Sequence, residues 1–234
     1  LLEPIIDFCI DFIQMPELNY DILLFLIDKS TIEFLICSIS QSSHKYGLFL
    51  KLFKIFLILY KYLKEYYIKK DPYTTCDNLD IIIIYNYEDT LELIQTMIKN
   101  STQINDLSII LNYLTACIKV DSQILFTDKI KEITSILFEA FNEGTYDAKA
   151  AIIKVICNMI KYGNPELCEF LIEQNIHDIF ISSFLTENSK LNEDVLDSIS
   201  RFCDKFAYYD NSRKYIEIIA TPMLLDAIND LKEN

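Results

Sequence analysis

The 234 residues are 51% apolar and 24% charged, and their charges sum to −14 at neutral pH. That apolar share excludes a disordered chain, which would combine low hydrophobicity with high net charge, and the negative sum opposes nucleic-acid binding, whose affinity comes mostly from phosphate neutralisation. Only three glycines occur, Gly47, Gly144 and Gly163, so hairpin turns and phosphate-cradling loops are not expected.

Taken in chain order, Ile5, Ile6, Cys9, Phe12 and Ile13, with Asp7, Asp11 and Gln14 between them, predict a first amphipathic helix. A short helix is expected from Tyr20 to Ile27, then a break at Asp28-Lys29. The next helix opens with Ser30-Thr31-Ile32-Glu33, a capping box whose side chains satisfy first-turn N–H groups. Residues 46 to 63 are the most apolar stretch. Lys51, Lys54 and Lys61 interrupt it and, with Glu65, fall within an arc of about 80° at helical spacing. That pattern describes a core helix with a narrow wet stripe and not a membrane span. Residues 45 to 70 hold seven lysines against Glu65 alone, a local +6 that leaves −20 for the remainder. We read them as a solvated helix face in preference to a basic patch for an acidic peptide or a membrane surface. Asp71-Pro72-Tyr73-Thr74-Thr75 signals a loop, and Ile81 to Ile84 suits a helical piece or a short strand. Residues 65 to 88 are therefore expected to form an irregular insertion with some helix.

Further on, helices are predicted around Ile110 to Lys119, from Ser122 to Phe126, from Ile130 to Phe141 after a break at Asp128-Lys129, and from Asp147 to Tyr162. Pro165 to Glu173 follows, then a break at Gln174-Asn175 and a helix from Ile176 to Leu185. The remaining expectations are a helix through Val195 to Asp204, one from Ser212 to Ile219, a break at Thr221, and one from Pro222 to Leu231. Asn164-Pro165-Glu166 and Thr221-Pro222 each read as a capping residue followed by proline at the first helical position.

The helices repeat one another. With Asn158 as reference, Ile152, Ile153, Ile156, Met159 and Ile160 are apolar and Lys154, Asn158 and Lys161 polar. Forty-three residues later the same positions hold Val195, Leu196, Ile199, Phe202 and Cys203, with Asp197, Arg201 and Asp204 in the polar columns. Forty-two residues earlier they hold Ile110, Leu111, Leu114, Cys117 and Ile118, with Asn112, Ala116 and Lys119. Matching faces alone distinguish little, because every amphipathic helix has a 3.6-residue period. The spacing of positions 116, 158 and 201 is more telling, since it lies in the range of armadillo and HEAT repeats. A looser match centres on Lys61, and the gaps of 50 and 55 residues around it imply insertions.

Ile156-Cys157-Asn158-Met159-Ile160, then Gly163-Asn164-Pro165-Glu166, then Glu173-Gln174-Asn175-Ile176 resembles the armadillo-repeat family, whose unit is a short, a middle and a long third helix. Family members carry glycine before the middle helix, and Asn175 takes its place here, a residue that also tolerates the left-handed conformation. The resemblance implies an all-α fold: one domain over residues 1 to 234, a right-handed α-solenoid of about four to five repeats, incomplete at both ends. The chain begins at Leu1 and not at Met, so we expect a longer parent chain, whose flanking sequence, or else a partner, covers the exposed ends. The resemblance also implies a partner groove along the third helices, with Asn112, Lys119, Lys154, Asn158, Lys161, Asp197, Arg201 and Asp204 as its polar column. Importin-like proteins grip basic peptides with a ladder of Trp and Asn. This chain has no Trp, Lys154 stands at a Trp position, and Ala116 and Arg201 stand at two Asn positions.

No nucleophile elbow, phosphate loop, H-E-x-x-H or metal-spaced Cys/His cluster occurs. His44 and His177 are the only histidines and are read as surface or capping residues. Seven cysteines without a C-x-x-C pair read as reduced, buried thiols, which implies cytosol or nucleus and makes the Asn100-Ser101-Thr102 sequon a chance match. The expectation is a protein-interaction scaffold that binds a protein or peptide, with no cofactor, no metal and no catalysis. The alternative is a nuclear-transport or enzyme-complex regulatory solenoid.

Overall fold

A computed structural model describes residues 2–14, 29–42, 44–70, 87–101, 104–185, 188–207, 217 and 220–233. Every regular element among these residues is helical, as the spacing of apolar residues and the scarcity of glycine predict. The chain divides into two compact units, Leu1–Asp121 and Ser122–Asn234.

The first unit contains α1 (Leu2–Ile13), α2 (Lys29–Ser40), α3 (Lys45–Lys70), α4 (Tyr87–Lys99) and α5 (Ile104–Val120). Helix α3 is its centre and packs against α1, α2 and α5. Leu52, Phe53, Phe56 and Leu59 are at most 1% exposed, each contributing about 1.5–3 kcal/mol by leaving water. Tyr113 of α5 is fully buried and stacks on Phe53, with ring centroids 4.1 Å apart, and more loosely on Phe56 at 6.1 Å. The wet stripe on α3 is as expected: Lys54 and Lys61 are exposed, and Lys51 turns toward α1 to meet Glu3 and Asp7.

Three expectations are corrected in this unit. Helix α2 starts at Lys29, so Ser30 lies in its first turn and is not its cap. Residues 65 to 70 continue α3 and do not open the insertion; residues 71 to 86, with Ile81 to Ile84, lie outside the described residues, as do Tyr20 to Ile27. Ile5, placed in an apolar column, is 52% exposed. Helix α4 had not been singled out, although Leu91, Ile94, Met97 and Ile98 form its buried face, with Glu88 and Asp89 in the first turn and Lys99 in the last. Those charges complement the helix dipole.

The second unit opens with a 3-10 turn at Ser122–Phe126 and continues with α6 (Asp128–Glu143), α7 (Tyr146–Tyr162), α8 (Pro165–Glu173), α9 (Ile176–Phe184), α10 (Ser189–Phe206) and α11 (Pro222–Glu233). The break before α6 falls at Thr127, with Asp128 and Lys129 already helical. Residues 208 to 216, in the segment expected to be helical from Ser212 to Ile219, lie outside the described residues.

The remaining punctuation follows the sequence closely. Asn164 Oδ1 accepts the Leu167 N–H at 2.9 Å with Pro165 at the first helical position, and Thr221 Oγ1 accepts the Leu224 N–H at 3.2 Å. Asn175 sits at φ 60°, ψ 47°, a left-handed conformation that asparagine tolerates. Gly163, by contrast, has an ordinary φ and is needed for space. A Cβ there would lie 2.5 Å from the Met159 carbonyl oxygen and 2.7 Å from Leu167 Cδ2. Helix α7 is the hub, packing against α6, α8, α9 and α10, and Ile152, Val155, Ile156, Met159 and Ile160 of its buried face are fully enclosed. Helix α10 answers with Leu191, Val195, Phe202 and Phe206; Leu196, placed in an apolar column, is instead 40% exposed.

Candidate functional site

Helices α7 and α10 run parallel and in register. The Cys157 thiol hydrogen-bonds the Ser198 hydroxyl, which itself donates to the Asp194 carbonyl oxygen at 2.7 Å. Nearly two turns on, Lys205 Nζ donates to the Gly163 carbonyl oxygen. The two links join residues 41 and 42 apart in sequence, and a near-constant offset along two helices requires that they point the same way. Lys205 also places its charge on the last turn of α7, where unsatisfied carbonyls favour a cation.

The seam between these helices is dry. Burial pushes the Cys157 thiol up to about 12; the Ser198 hydrogen bond lowers it a little, and the Asp194 and Asp197 charges raise it. Burial also raises Cys168 to about 11, offset in part by Lys205 and reinforced by Glu169. Such thiols are protonated at neutral pH and poor nucleophiles. Cys117 in the first unit is likewise raised to about 12 by burial. Cys37, expected to be buried, is exposed on α2.

Above the seam lie six of the eight candidate residues. Lys154 and Lys161 of α7 are exposed, and Asn158 between them donates from Nδ2 to the Lys154 carbonyl oxygen at 2.6 Å. Lys161 Nζ stands 5.6 Å from the centre of the Tyr162 ring. On α10, Asp197 and Asp204 are exposed, and Arg201 Nε donates to Asp197 Oδ2 at 2.7 Å. The hydrogen bond and charge of Asp197 hold the Arg201 guanidinium above its ordinary range, with further contributions from Tyr162 and Asp204. The influence of Tyr162 on Arg201 puts the end of the α7 stripe beside that of α10. Asn112 and Lys119 belong to the first unit; both are exposed on α5, and Asn112 Nδ2 lies 3.5 Å from Ser108 Oγ.

Lys205 and Ser198 escaped the sequence reading, and Gly163 was read there as punctuation and not as an acceptor. The only available signal was a lysine in the last turn of α10 and a glycine closing α7; nothing local says that the two meet. His44 is exposed just before α3, and His177 Nε2 lies 3.4 Å from Asp178 Oδ1 on the first turn of α9. Among the described residues, no group of three His, Cys, Asp or Glu could hold a metal ion, and no helix is long and apolar enough to cross a membrane. An open apolar depression of about 240 Å³, solvent included, is lined by Phe141, Tyr146, Ala150, Ile153 and Leu191, with Lys149 Nζ 5.1 Å from the Phe141 ring centre. It lacks the convergent polar groups that orient a small ligand. No family model matches the chain, and no curated protein matches it significantly.

Proposed function

We propose that this chain is an interaction scaffold of the armadillo type, a right-handed α-solenoid of about four to five repeats that binds a protein or peptide along its third helices. The observation that carries the reading is the parallel pair α7 and α10, joined at offsets of 41 and 42 residues, because in-register parallel third helices are what a stacked repeat produces. The left-handed Asn175 before α9 supports it. Each unit then presents a polar stripe of the same type: Lys154, Asn158, Lys161, Asp197, Arg201 and Asp204 on α7 and α10, and Asn112 and Lys119 on α5. The buried, protonated thiols suit a reducing compartment, cytosol or nucleus.

Two measurements test this. Small-angle scattering should give a radius of gyration above the roughly 17 Å of a compact domain of this length; a compact value would overturn the solenoid. Affinity purification with the wild-type chain and with a Lys154→Glu, Lys161→Glu, Arg201→Glu variant should recover a partner with the first and lose it with the second. Equal recovery would remove this face from consideration.

A further inference from the structure

We infer that a second copy of this chain stacks head to tail on the first, the exposed flank of α1 in one copy seating against the exposed flank of α10 in the other. This rests on the repeat reading above and extends it from one chain to two.

Two third helices break the column pattern, and they break it on opposite flanks. In the register of Asn158, Ile5 shares a column with Ile110, Ile152 and Val195, all three fully buried, yet Ile5 is 52% exposed. Phe8 shares a column with Tyr113, Val155 and Ser198, which are at most 2% exposed. Phe8 itself is 65% exposed and stacks on Phe12, with ring centroids 5.8 Å apart. That second column is the one that meets the preceding third helix: Tyr113 stacks on Phe53 of α3, and Ser198 hydrogen-bonds Cys157 of α7. Among the described residues, α1 packs chiefly on α3, which follows it. Ile5 and Phe8 are therefore half of a seam whose preceding helix is missing.

Helix α10 carries the other half. Leu196 shares a column with Ile6, Leu111 and Ile153, each at most 2% exposed, and is itself 40% exposed. Ile153 of α7 lines the same depression as Leu191 of α10, so this column lies toward the following third helix. Ser200 stands on α10 where α7 has Cys157, the residue that meets Ser198, and it too is exposed. A repeat that closes an array carries a polar outer face; these two flanks carry Ile5, Phe8 and Leu196 instead. A second copy covers both at once, by the kind of seam that already joins α3 to α5 and α7 to α10 within the chain.

The two surfaces differ, so the contact is heterologous, and each added copy leaves one flank of each kind free. Both helices are rich in carboxylates, Glu3, Asp7 and Asp11 on α1 and Glu193, Asp194, Asp197 and Asp204 on α10. Apolar burial therefore holds the copies together, and added salt strengthens the contact by screening like charges.

Analytical ultracentrifugation of the full 234-residue chain tests this. The mean mass should rise above 27.4 kDa with protein concentration and with salt. Phe8→Glu and Leu196→Glu should each weaken self-association about tenfold or more. Circular dichroism and melting should be unchanged, because both side chains are exposed; Ile5→Glu replaces Phe8→Glu should the latter melt early. The decisive arm mixes the two variants. The intact α10 flank of the first then meets the intact α1 flank of the second, and a capped dimer of twice the chain mass forms from two monomeric proteins. A chain that stays monomeric at every concentration overturns the inference, as does association indifferent to both variants or a mixture that stays monomeric. A dimer abolished by the α1 variant alone also overturns it, since α1 would then pair with α1. Small-angle scattering of the dilute chain separates the two levels: an extended monomer leaves the repeat reading standing, and a compact one removes both.

Discussion

The α1–α3 pair of the first unit and the α7–α10 pair of the second carry polar stripes of similar make-up and settle their charges in opposite ways. In the first, Lys51 reaches across to Glu3 and Asp7 and joins the two helices by an ion triad, while Lys54 and Lys61 further along the stripe stay exposed. In the second, the cross-helix links lie lower: Cys157 with Ser198 in the seam, and Lys205 on the Gly163 carbonyl at its end. Among the described residues, the exposed charges above pair along one helix, Arg201 with Asp197, and no ion pair reaches Lys154 or Lys161. A pair of helices can be fixed either by surface charges or by contacts beneath them. The first arrangement engages the surface charges that do the fixing; the second does not.

The sharpest way to break this contrast is to remove what holds the first unit apart from its triad. Tyr113→Ala empties the place of a fully buried ring stacked on Phe53 and should cost about 3–5 kcal/mol. Hydrogen exchange should show protection lost in α3 and α5 before α7 and α10; simultaneous loss everywhere would mean that the units are not separable.

Smaller effects are expected in the second unit. Gly163→Val forces a side chain against the Met159 carbonyl oxygen and Leu167 and should cost about 1–3 kcal/mol by chemical denaturation. Asn175→Val should cost about 1–2 kcal/mol at its left-handed backbone, whereas Asn175→Gly should cost nothing measurable. Equal losses for the two Asn175 substitutions would show that the side chain, and not the backbone conformation, matters there.

Lys51→Met should cost less than about 1 kcal/mol, because Glu3 and Asp7 are half or more exposed and water screens the pair. Hydrogen bonds from Lys51 to Asp7 and then Glu3 raise its pKa above the ordinary 10.5. The triad's contribution is therefore fully present below pH 10.5 and fades as pH rises through the higher folded value. A double-mutant cycle with Asp7→Asn, run at neutral pH and at pH 11, reads this directly; coupling unchanged at the higher pH would contradict the triad. The slightest change, with no effect on stability at neutral pH, is one of thiol reactivity. Cys37 should react with a thiol reagent in the folded chain, while Cys117 and Cys157, both raised to about 12 by burial, should react only on unfolding. Fast labelling of Cys157 would mean that the α7–α10 seam opens readily, removing the basis of the contrast.

Much of the fold was legible because its signals are local. The cap at Asn164, the proline at 165, the break at Asn175 and the helix between Pro165 and Glu173 each depend on residues within one turn of one another. The misses also have local causes. The break falls at Thr127 and not at Asp128-Lys129 because Asp128 and Lys129 are acceptable in a first helical turn, and α3 runs past its expected end because Lys, Glu and Tyr are acceptable helix residues. In the candidate face, periodicity identified which residues are wet. Lys205 and Ser198 were not foreseen as links, since their partners lie about forty residues away.

By itself, then, the sequence determined that the chain is helical, where most helices begin and end, and which stripe of each meets water, because capping and amphipathic spacing act over a few residues. Only the tertiary structure decided which lysines, among the described residues, meet carboxylates. That outcome depends on how packing aligns helices distant in the chain: among the described residues Lys51 meets two carboxylates, whereas Lys154, on the same kind of stripe, meets none.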